Sequence, residues 1–384
     1  MALIGLEATS ISLYGKGVSR YQYGLIKGLC RLDKKNTYFV LLNKDNPLPQ
    51  LPREDNFQYV YLSVSKRIAW DQFQLPAIIK KYNPDIYHTT ADTIPLFCKN
   101  KFLLYLFEIP DHRIALLRRC PGNSVYAWVS QSYSKFLFPK SLKKAAIITA
   151  GSLSTKNDLI ARYKIPAEKV RVLYPAADER FCPAKGGEKI LETRARYNAQ
   201  NGYLLHISSP DPRDNTYAAI RAYEKARRRL KQGKKLLIYG DIGSDAGKLA
   251  GIVKGLNLEK DIIFTGRFKE EEVERLAELY QAADLYIDPS LYEGFGFQVL
   301  EAMACGIPVI ASNVTSLPEV LGDAGITAGP DDIDGLAQAI VDVLTDQALR
   351  RDLCRKSLLR AELFSWDRTA RETLAVYELL MNLN

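Results

Sequence analysis

The residues best placed to do chemistry lie in one stretch, Pro289-Ser290-Leu291-Tyr292-Glu293-Gly294-Phe295-Gly296-Phe297-Gln298-Val299-Leu300-Glu301. A β-type run over 285–288 leads into a turn with two glycines, and a helical pattern follows from about 297. Gly294 and Gly296 permit backbone conformations and close approaches that a Cβ forbids. The first N–H groups of the following helix have no intrahelical acceptor, and with the helix dipole they favour an anion such as a diphosphate. Glu293 stands at the mouth of the turn. Glu301, two turns into the helix, can meet a ribose diol with both carboxylate oxygens. An acid at a helix start can also be a plain dipole partner worth about 0.3–1 kcal/mol, so the reading rests on the whole string and not on the spacing of two glutamates.

A turn of this kind needs a sheet behind it. Short β-branched or aromatic runs occur at 3–7, 38–42, 59–64, 85–88, 102–107, 146–149 and 170–174, then at 203–207, 235–239, 262–265, 285–288 and 309–311. Segments of helical spacing, such as 216–231 and 270–283, separate most of them. That alternation predicts α/β architecture with parallel sheets covered on both faces. A stretch rich in Pro, Ala and charge after Pro175 interrupts the pattern. The expected organisation is therefore two doubly wound, Rossmann-like domains, 1–175 and 176–364, facing across a cleft with ligands at the carboxyl ends of strands. Residues 365–384 read as a helix that packs back onto the first domain. Ser152 or Ser154 caps the helix running through Arg162, and Asn215 or Thr216 the helix after it.

Composition bounds the rest. The chain has 384 residues, 47% apolar and 25% charged, which excludes wholesale disorder, collagen-like repeats and a small disulfide scaffold. Its net charge of +9 is unevenly spread: 26 Lys and Arg stand against 12 Asp and Glu up to Pro175 (+14), and 27 against 32 beyond it (−5). Six scattered cysteines without a Cys-x-x-Cys pair and three histidines give no spacing for a tetrahedral zinc site, and a reducing compartment is expected. The first residues, Met1-Ala2-Leu3-Ile4-Gly5-Leu6-Glu7, carry no basic leader, so no signal peptide is expected, and no apolar run reaches membrane-spanning length.

The string from Pro289 to Glu301 resembles the signature of the retaining glycosyltransferases of family four, which have the GT-B architecture. The resemblance continues through Leu317-Pro318-Glu319-Val320 and Asp323-Ala324-Gly325. It is also visible at Pro84-Asp85-Ile86-Tyr87-His88, at Ile165-Pro166-Ala167-Glu168-Lys169-Val170 and at Phe364-Ser365-Trp366. It covers effectively the whole chain and is most specific over 264–325. It implies transfer of a hexose, with glucose the first expectation, from a nucleoside-diphosphate sugar, uridine-linked by preference, to a saccharide or lipid-linked acceptor. No cofactor and no metal are implied. Glu293 matches the acid that contacts the transferred sugar and stabilises charge at its anomeric carbon. The backbone of Gly294, Phe295, Gly296, Phe297 and Gln298 would hold the sugar and leaving diphosphate, and Glu301 the ribose. Ser209 and Arg213 lie in the matching diphosphate loop. Phe264-Thr265-Gly266-Arg267-Phe268 matches the loop that reads the base, where Arg267 and Phe268 would border it; Arg267 reads equally as a solvated surface residue. Gly17, in Tyr14-Gly15-Lys16-Gly17, matches the glycine loop of the first domain. Tyr21, Glu108 and His112 are the acceptor-side candidates.

Two positions depart from the family pattern. Its usual glycine and Arg-Lys-Asn become Ser208 and Arg213-Asp214-Asn215 here, which puts an acid where the family has a lysine on the donor diphosphate. At an effective dielectric near 20, one unit-charge pair at 4 Å is worth about 4 kcal/mol. Asp214 therefore either lines the site with compensation from Arg213 or Lys16, or points away as the cap of the next helix. After the fifth strand the family's His-Asp is replaced by Phe107-Glu108. These changes leave a second reading open: a nucleotide-sugar-binding or regulatory protein on the same fold with little transfer activity. The run from Arg113 to Lys144 interleaves seven basic residues with Tyr126, Trp128, Tyr133, Phe136, Leu137 and Phe138, and no acid occurs before Asp158. That pattern suits docking on an anionic membrane surface, and equally a core helix with solvated lysines. A cytoplasmic protein, peripheral on the inner face of the plasma membrane, is the expectation, with no nucleic-acid partner.

Overall fold

Strands of three to seven residues, most of them buried, assemble into two all-parallel sheets in the computed structural model, which describes residues 1–13, 17–110, 125–230, 233–243, 246–267 and 272–383. The chain divides into two units, Met1–Ala176 with Phe364–Asn384, and Ala177–Leu363. The first holds β1 (Leu3–Glu7), β2 (Thr37–Asn43), β3 (Phe57–Leu62), β4 (Ile86–Thr89), β5 (Lys101–Leu106), β6 (Ile147–Ala150) and β7 (Val170–Val172), in the order β3-β2-β1-β4-β5-β6-β7. The second holds β8 (Tyr203–Ile207), β9 (Lys235–Tyr239), β10 (Ile262–Gly266), β11 (Leu285–Asp288), β12 (Val309–Ser312) and β13 (Ile326–Ala328), in the order β10-β9-β8-β11-β12-β13. The sequence pattern does not reveal β13, because three residues between Gly325 and Gly329 are too short to show a period.

The α-helices used below are α1 (Gly17–Leu32), α2 (Leu75–Tyr82), α3 (Val125–Lys144), α4 (Leu153–Tyr163), α5 (Gly187–Arg196), α6 (Thr216–Arg227), α7 (Ala246–Gly255), α8 (Glu272–Ala282), α9 (Phe297–Ala304), α10 (Leu317–Leu321), α11 (Ile333–Thr345), α12 (Gln347–Ala361) and α13 (Trp366–Asn382). In the first sheet both faces are apolar. Ile4 and Leu6 of β1 pack with Tyr21, Leu25 and Leu29 of α1, while Phe39, Tyr87 and Leu104 pack on the opposite side with Ile79, Phe138 and Leu159. Each such side chain contributes about 1.5–3 kcal/mol on burial.

The last helix belongs to the first unit. Ser365 caps α13 by accepting from Arg368 N at 3.2 Å, and the missing side chains of α1 make room for it. A Cβ on Gly24 would stand 2.1 Å from the Trp366 ring, and one on Gly28 would stand 2.8 Å from the Trp366 carbonyl. Farther along, Tyr377 Oη meets His88 Nδ1 at 2.8 Å.

The second unit is tied together by a buried charge. Asp284, just before β11, is 3% exposed. It accepts from Arg194 of α5 (3.0 Å), from Lys234 before β9 (2.7 Å) and from Arg350 of α12 (2.7 Å). Burial alone would raise its pKa, but Lys234, Arg194 and Arg350 outweigh it and hold the carboxylate below its usual range. Replacing Asp284 with Ala leaves three cations without their anion, so unfolding free energy should fall by about 3–5 kcal/mol. Denaturant unfolding of the variant measures this; a loss under about 1 kcal/mol would show that the cations reach water unaided.

Candidate functional site

Strand order in the second sheet reverses between β8 and β11. The helices that follow these neighbours leave toward opposite faces, so the loops at their carboxyl ends part, and ligands of doubly wound folds bind at this opening. Both sequence-nominated loops lie here. The structure joins them through Leu291 N donating to Arg213 O (2.8 Å) and Asn215 Nδ2 donating to Pro289 O (3.0 Å). The Arg213 guanidinium lies 5.8 Å from the centre of the Tyr292 ring.

The turn after β11 is held from below. Asp288 accepts from Tyr286 Oη at 3.1 Å and from Ser290 N at 3.3 Å. Glu293 is half-buried, and its backbone is fixed at both ends: its N–H donates to Thr315 Oγ1 (3.0 Å) and its carbonyl accepts from Ser316 Oγ (2.8 Å). Its carboxylate therefore projects from a rigid main chain. Gly296 follows with φ of 101°, in the left-handed region, and a Cβ there would come 2.8 Å from Leu317 Cδ2. Two independent reasons thus require glycine. Gly296 takes the N-cap of α9 and has no side-chain oxygen of its own to set against the helix's first N–H groups. Phe295 and Phe297 are buried edge to face, 5.2 Å between centroids, and fix the direction in which the helix leaves. Gln298 is half-buried beside them. Glu301 is in a different setting: it is 1% exposed and accepts from Tyr280 Oη at 3.2 Å.

The loop after β8 carries more than its sequence shows. Ser208, in the family's glycine position, is buried and shares a 2.6 Å hydrogen bond with Thr216 Oγ1, which also meets His206 Nε2 at 3.0 Å. Asp211 engages Arg213 through Nε (2.9 Å) and the terminal nitrogen (2.7 Å), a pairing that spacing does not disclose because the two are separated by a single proline. Asp214 does not cap the next helix. Asn215, in a left-handed conformation, occupies the N-cap of α6 with its side chain turned to the Pro289 and Pro330 carbonyls and making no capping bond, and Asp214 hydrogen-bonds back to Ser209. Burial pushes the Asp214 carboxyl up to about 7, with Asp211 and Asp288 adding to the rise against the hydrogen bonds from Ser209. A cavity of about 390 Å³ opens beside this loop, lined by Ser208, Ser209, Asp211, Asn215, Ile242 and Lys248. That is within the size range of small-molecule sites.

The remaining candidates are dispersed. Arg267 is exposed at the end of β10; Phe268 lies outside the described residues. Gly17 begins α1, while Tyr14, Gly15 and Lys16 before it lie outside them. Tyr21 is not an acceptor-facing surface residue. It is wholly buried, stacked on Tyr105 at 3.7 Å, with Phe107 edge-on to it at 5.5 Å. Phe107 thus fills the family's histidine position with a packing ring, and Glu108 beside it is half-buried. His112 and Arg113, Arg118 and Arg119 lie outside the described residues, as do the side chains of Tyr126 and Trp128. Among the described residues, no three His, Cys, Asp or Glu side chains are grouped to hold a metal ion, and no helix is long and apolar enough to cross a membrane.

Two family models match the chain: Glycosyltransferase Family 4 over residues 15–181 and Glycosyl transferases group 1 over residues 202–346. Over 241 residues the chain is 33% identical to the O-antigen chain mannosyltransferase B of Escherichia coli, an alignment that spans 63% of this chain and 62% of that relative. The chain thus accounts for less than two thirds of the relative's length. Among solved structures it is similar to sucrose-phosphate synthase from Thermosynechococcus elongatus (TM-score 0.76, 20% identical, 99% of both chains). It is also similar to HepE of Anabaena in complex with UDP and glucose (TM-score 0.74, 17% identical, all of both chains). These two establish the fold, GT-B.

Asp214 gives the site a titration that can be followed. Between the ordinary carboxylate range and about pH 7 the folded chain keeps a proton that the unfolded chain has released, so folding stability falls as pH rises through that window. An Asp214→Asn variant lacks this loss. Melting temperatures of the two proteins should coincide most closely near pH 4 and separate, with the variant higher, by about pH 7; a pH-independent gap would place the carboxyl in water.

Proposed function

This chain belongs to the glycosyltransferases of family four, and from that membership we propose that it moves a hexose from a nucleoside-diphosphate sugar to a saccharide or lipid-linked acceptor in polysaccharide or glycoconjugate assembly. The observation that carries the reading is the meeting, at the carboxyl ends of β8 and β11, of the Arg213 loop with the rigid Glu293 turn and the glycine-capped start of α9. Anion-binding N–H groups, a guanidinium, a projecting carboxylate and an adjoining cavity are the parts that a nucleotide sugar needs.

In this scheme the N–H groups at the start of α9 and Arg213 take the diphosphate, and Glu293 takes hydroxyls of the sugar and stabilises positive charge at its anomeric carbon. Glu301 exchanges the Tyr280 hydroxyl for the ribose diol, and the base lies toward Arg267. Transfer with retention follows by displacement on one face, the donor phosphate oxygen accepting the acceptor's proton as the glycosidic bond to the leaving diphosphate breaks. The work of the protein is positioning and stabilisation of the leaving group, with the main chain and Arg213 in place of a metal. Asp214 fits beside a dianion in its protonated form, because a neutral carboxyl donates a hydrogen bond where a carboxylate repels. The sugar is taken as glucose on a uridine nucleotide, with mannose tested beside it because a mannosyltransferase is among the relatives.

A second reading, a nucleotide-sugar binder of little turnover, draws on Asp214, on the Asp211 carboxylate that occupies Arg213, and on Phe107. Release of free nucleotide from a donor panel separates the two. The transfer reading expects turnover by the wild type, a drop of about 10²–10³-fold in Glu293→Ala, and nucleotide binding retained. Tight binding with no turnover on any donor would establish the binder instead.

For the acceptor we propose an anionic membrane surface. The exposed side of α3 presents Lys135, Phe136, Lys140 and Lys143, with the Lys140 ammonium 3.7 Å above the Phe136 ring, and Phe73 beside Gln72, which bonds α3 at Tyr133, is 74% exposed. Apolar rings among lysines match a headgroup layer. Vesicles containing phosphatidylglycerol should carry the protein upward in flotation at low salt and release it at high salt, and a Phe73→Ser/Phe136→Ser variant should stay behind; no flotation at low salt counts against this surface.

A further inference from the structure

Beyond the ends of β11 and β12 the two backbones part, and hydroxyl side chains take over the pairing. The ladder runs from Tyr286 and Val309 through Ile287 and Ile310 to Asp288 and Ala311. Past it, Ser312 Oγ donates to Ser290 O, Thr315 Oγ1 accepts from Glu293 N (3.0 Å) and Ser316 Oγ donates to Glu293 O (2.8 Å). Two consecutive side chains of the loop between β12 and α10 thus converge on one residue. That residue, Glu293, is the one whose carboxylate the transfer scheme brings to the sugar.

An extended chain does not deliver such a convergence. Successive side chains of a strand point to opposite faces, so a straight continuation of β12 would bring residue 315 or residue 316 to Glu293, not both. Instead Thr315 turns left-handed, with φ of 51°, and Ser316 follows in the right-handed region at φ −87° and ψ −12°. Among the described non-glycine residues with positive φ, four are asparagines, one is Lys164 at the end of α4, and Thr315 is the β-branched one. Asparagine tolerates this region; a β-branched residue in it is strained. Such strain persists only where the surroundings over-determine it. Here the Thr315 hydroxyl is engaged by Glu293, Ser316 is wholly buried, and Leu317 lies over Gly296. A glycine at 315 would take the same conformation without strain, and would bond nothing.

We propose that Thr315 is a positioning residue for transfer: its hydroxyl, brought round by a strained backbone, sets the direction in which Glu293 presents its carboxylate. The role in transfer rests on the function proposed above; the clamp itself stands on the hydrogen bonds and the left-handed turn. Arg213 and the first N–H groups of α9 take the diphosphate in that scheme, and Thr315 bonds neither. Loss of its hydroxyl therefore falls on the step in which charge develops at the anomeric carbon, and so on kcat more than on donor KM.

Three variants separate the hydroxyl from the strain. Thr315→Val loses Oγ and keeps the branched side chain, Thr315→Gly loses both, and Thr315→Ser keeps Oγ. Nucleotide release from the donor panel should show kcat about tenfold lower in the valine and glycine variants, the size of one lost hydrogen bond. Donor KM should stay within about twofold of wild type, and Thr315→Ser should bring kcat back to within about twofold. Thr315→Gly should nevertheless melt above Thr315→Val, because only the latter keeps a branched residue at positive φ. Wild-type kcat in both, or a kcat that follows melting temperature with the glycine variant the more active, overturns the positioning role. Amide exchange needs no turnover: deuterium uptake across residues 290–297 should be faster in Thr315→Val and Thr315→Gly than in wild type and Thr315→Ser. Equal uptake in all four removes the clamp. Wild-type protein that releases nucleotide from no donor sinks the transfer reading and the role in transfer with it, while the exchange result still decides the clamp.

Discussion

Pairing of parallel strands constrains everything else in this molecule. In the interior of an all-parallel sheet the backbone N–H and C=O groups are spent on the ladder and both faces are covered, so ordinary positions along a strand have no surface on which to meet a ligand. Only the strand ends are open, and among those the loops separate where strand order reverses. Each sheet here has one such reversal, at β1/β4 and at β8/β11. Several of the polar side chains described above lie at those two places. Glu293, Arg213 and Asp214 follow the second reversal, and Glu7 and His88 lie at the first. The location of chemistry is a consequence of hydrogen-bond topology before it is a consequence of residue type.

The same economy explains how charge is used. Asp284 is buried with three cations around it and stays ionised, a fixed joint between two helices and the foot of the second sheet. Asp214 has no cation against it among the described residues, lies in the company of two further acids, and is driven toward its neutral form. Burial opposes ionisation in both cases; the number of partners decides the sign. An acid that the family pattern would make repulsive is thereby accommodated through its protonation state, and the adjacent Arg213 is already steered by Asp211.

Aromatic packing plays the corresponding part in the first unit. Tyr21, Tyr105 and Phe107 form one cluster, with Trp366 of the last helix 6.0 Å from Tyr21. The ring that stands in the family's histidine position therefore joins a packing contact, and α13 closes the cluster through two glycines of α1. The local cost is that Tyr21 Oη and His88 Nε2 are left without a hydrogen-bond partner on one pocket.

What the amino-acid sequence determined by itself was whatever depends on local pattern. Alternating periods and turn residues fixed two doubly wound units, and the string from Pro289 to Glu301 identified the glycine turn and the helix that follows it, because backbone geometry there is dictated by the residues present. The left-handed Gly296 is legible for that reason. What only the tertiary structure decided involves partners distant in sequence or choices between equivalent local fits. Asp214 reads as a helix cap by its neighbours, yet Asn215 takes that place. Tyr21 reads as an acceptor-side candidate, yet it is buried and stacks on Tyr105, 84 positions away. Glu301 pairs with Tyr280 through the packing of two helices, and Tyr21 and His88 line one pocket only because α1 packs on the first sheet. Burial and protonation belong to the environment as a whole, and no spacing along a chain encodes them.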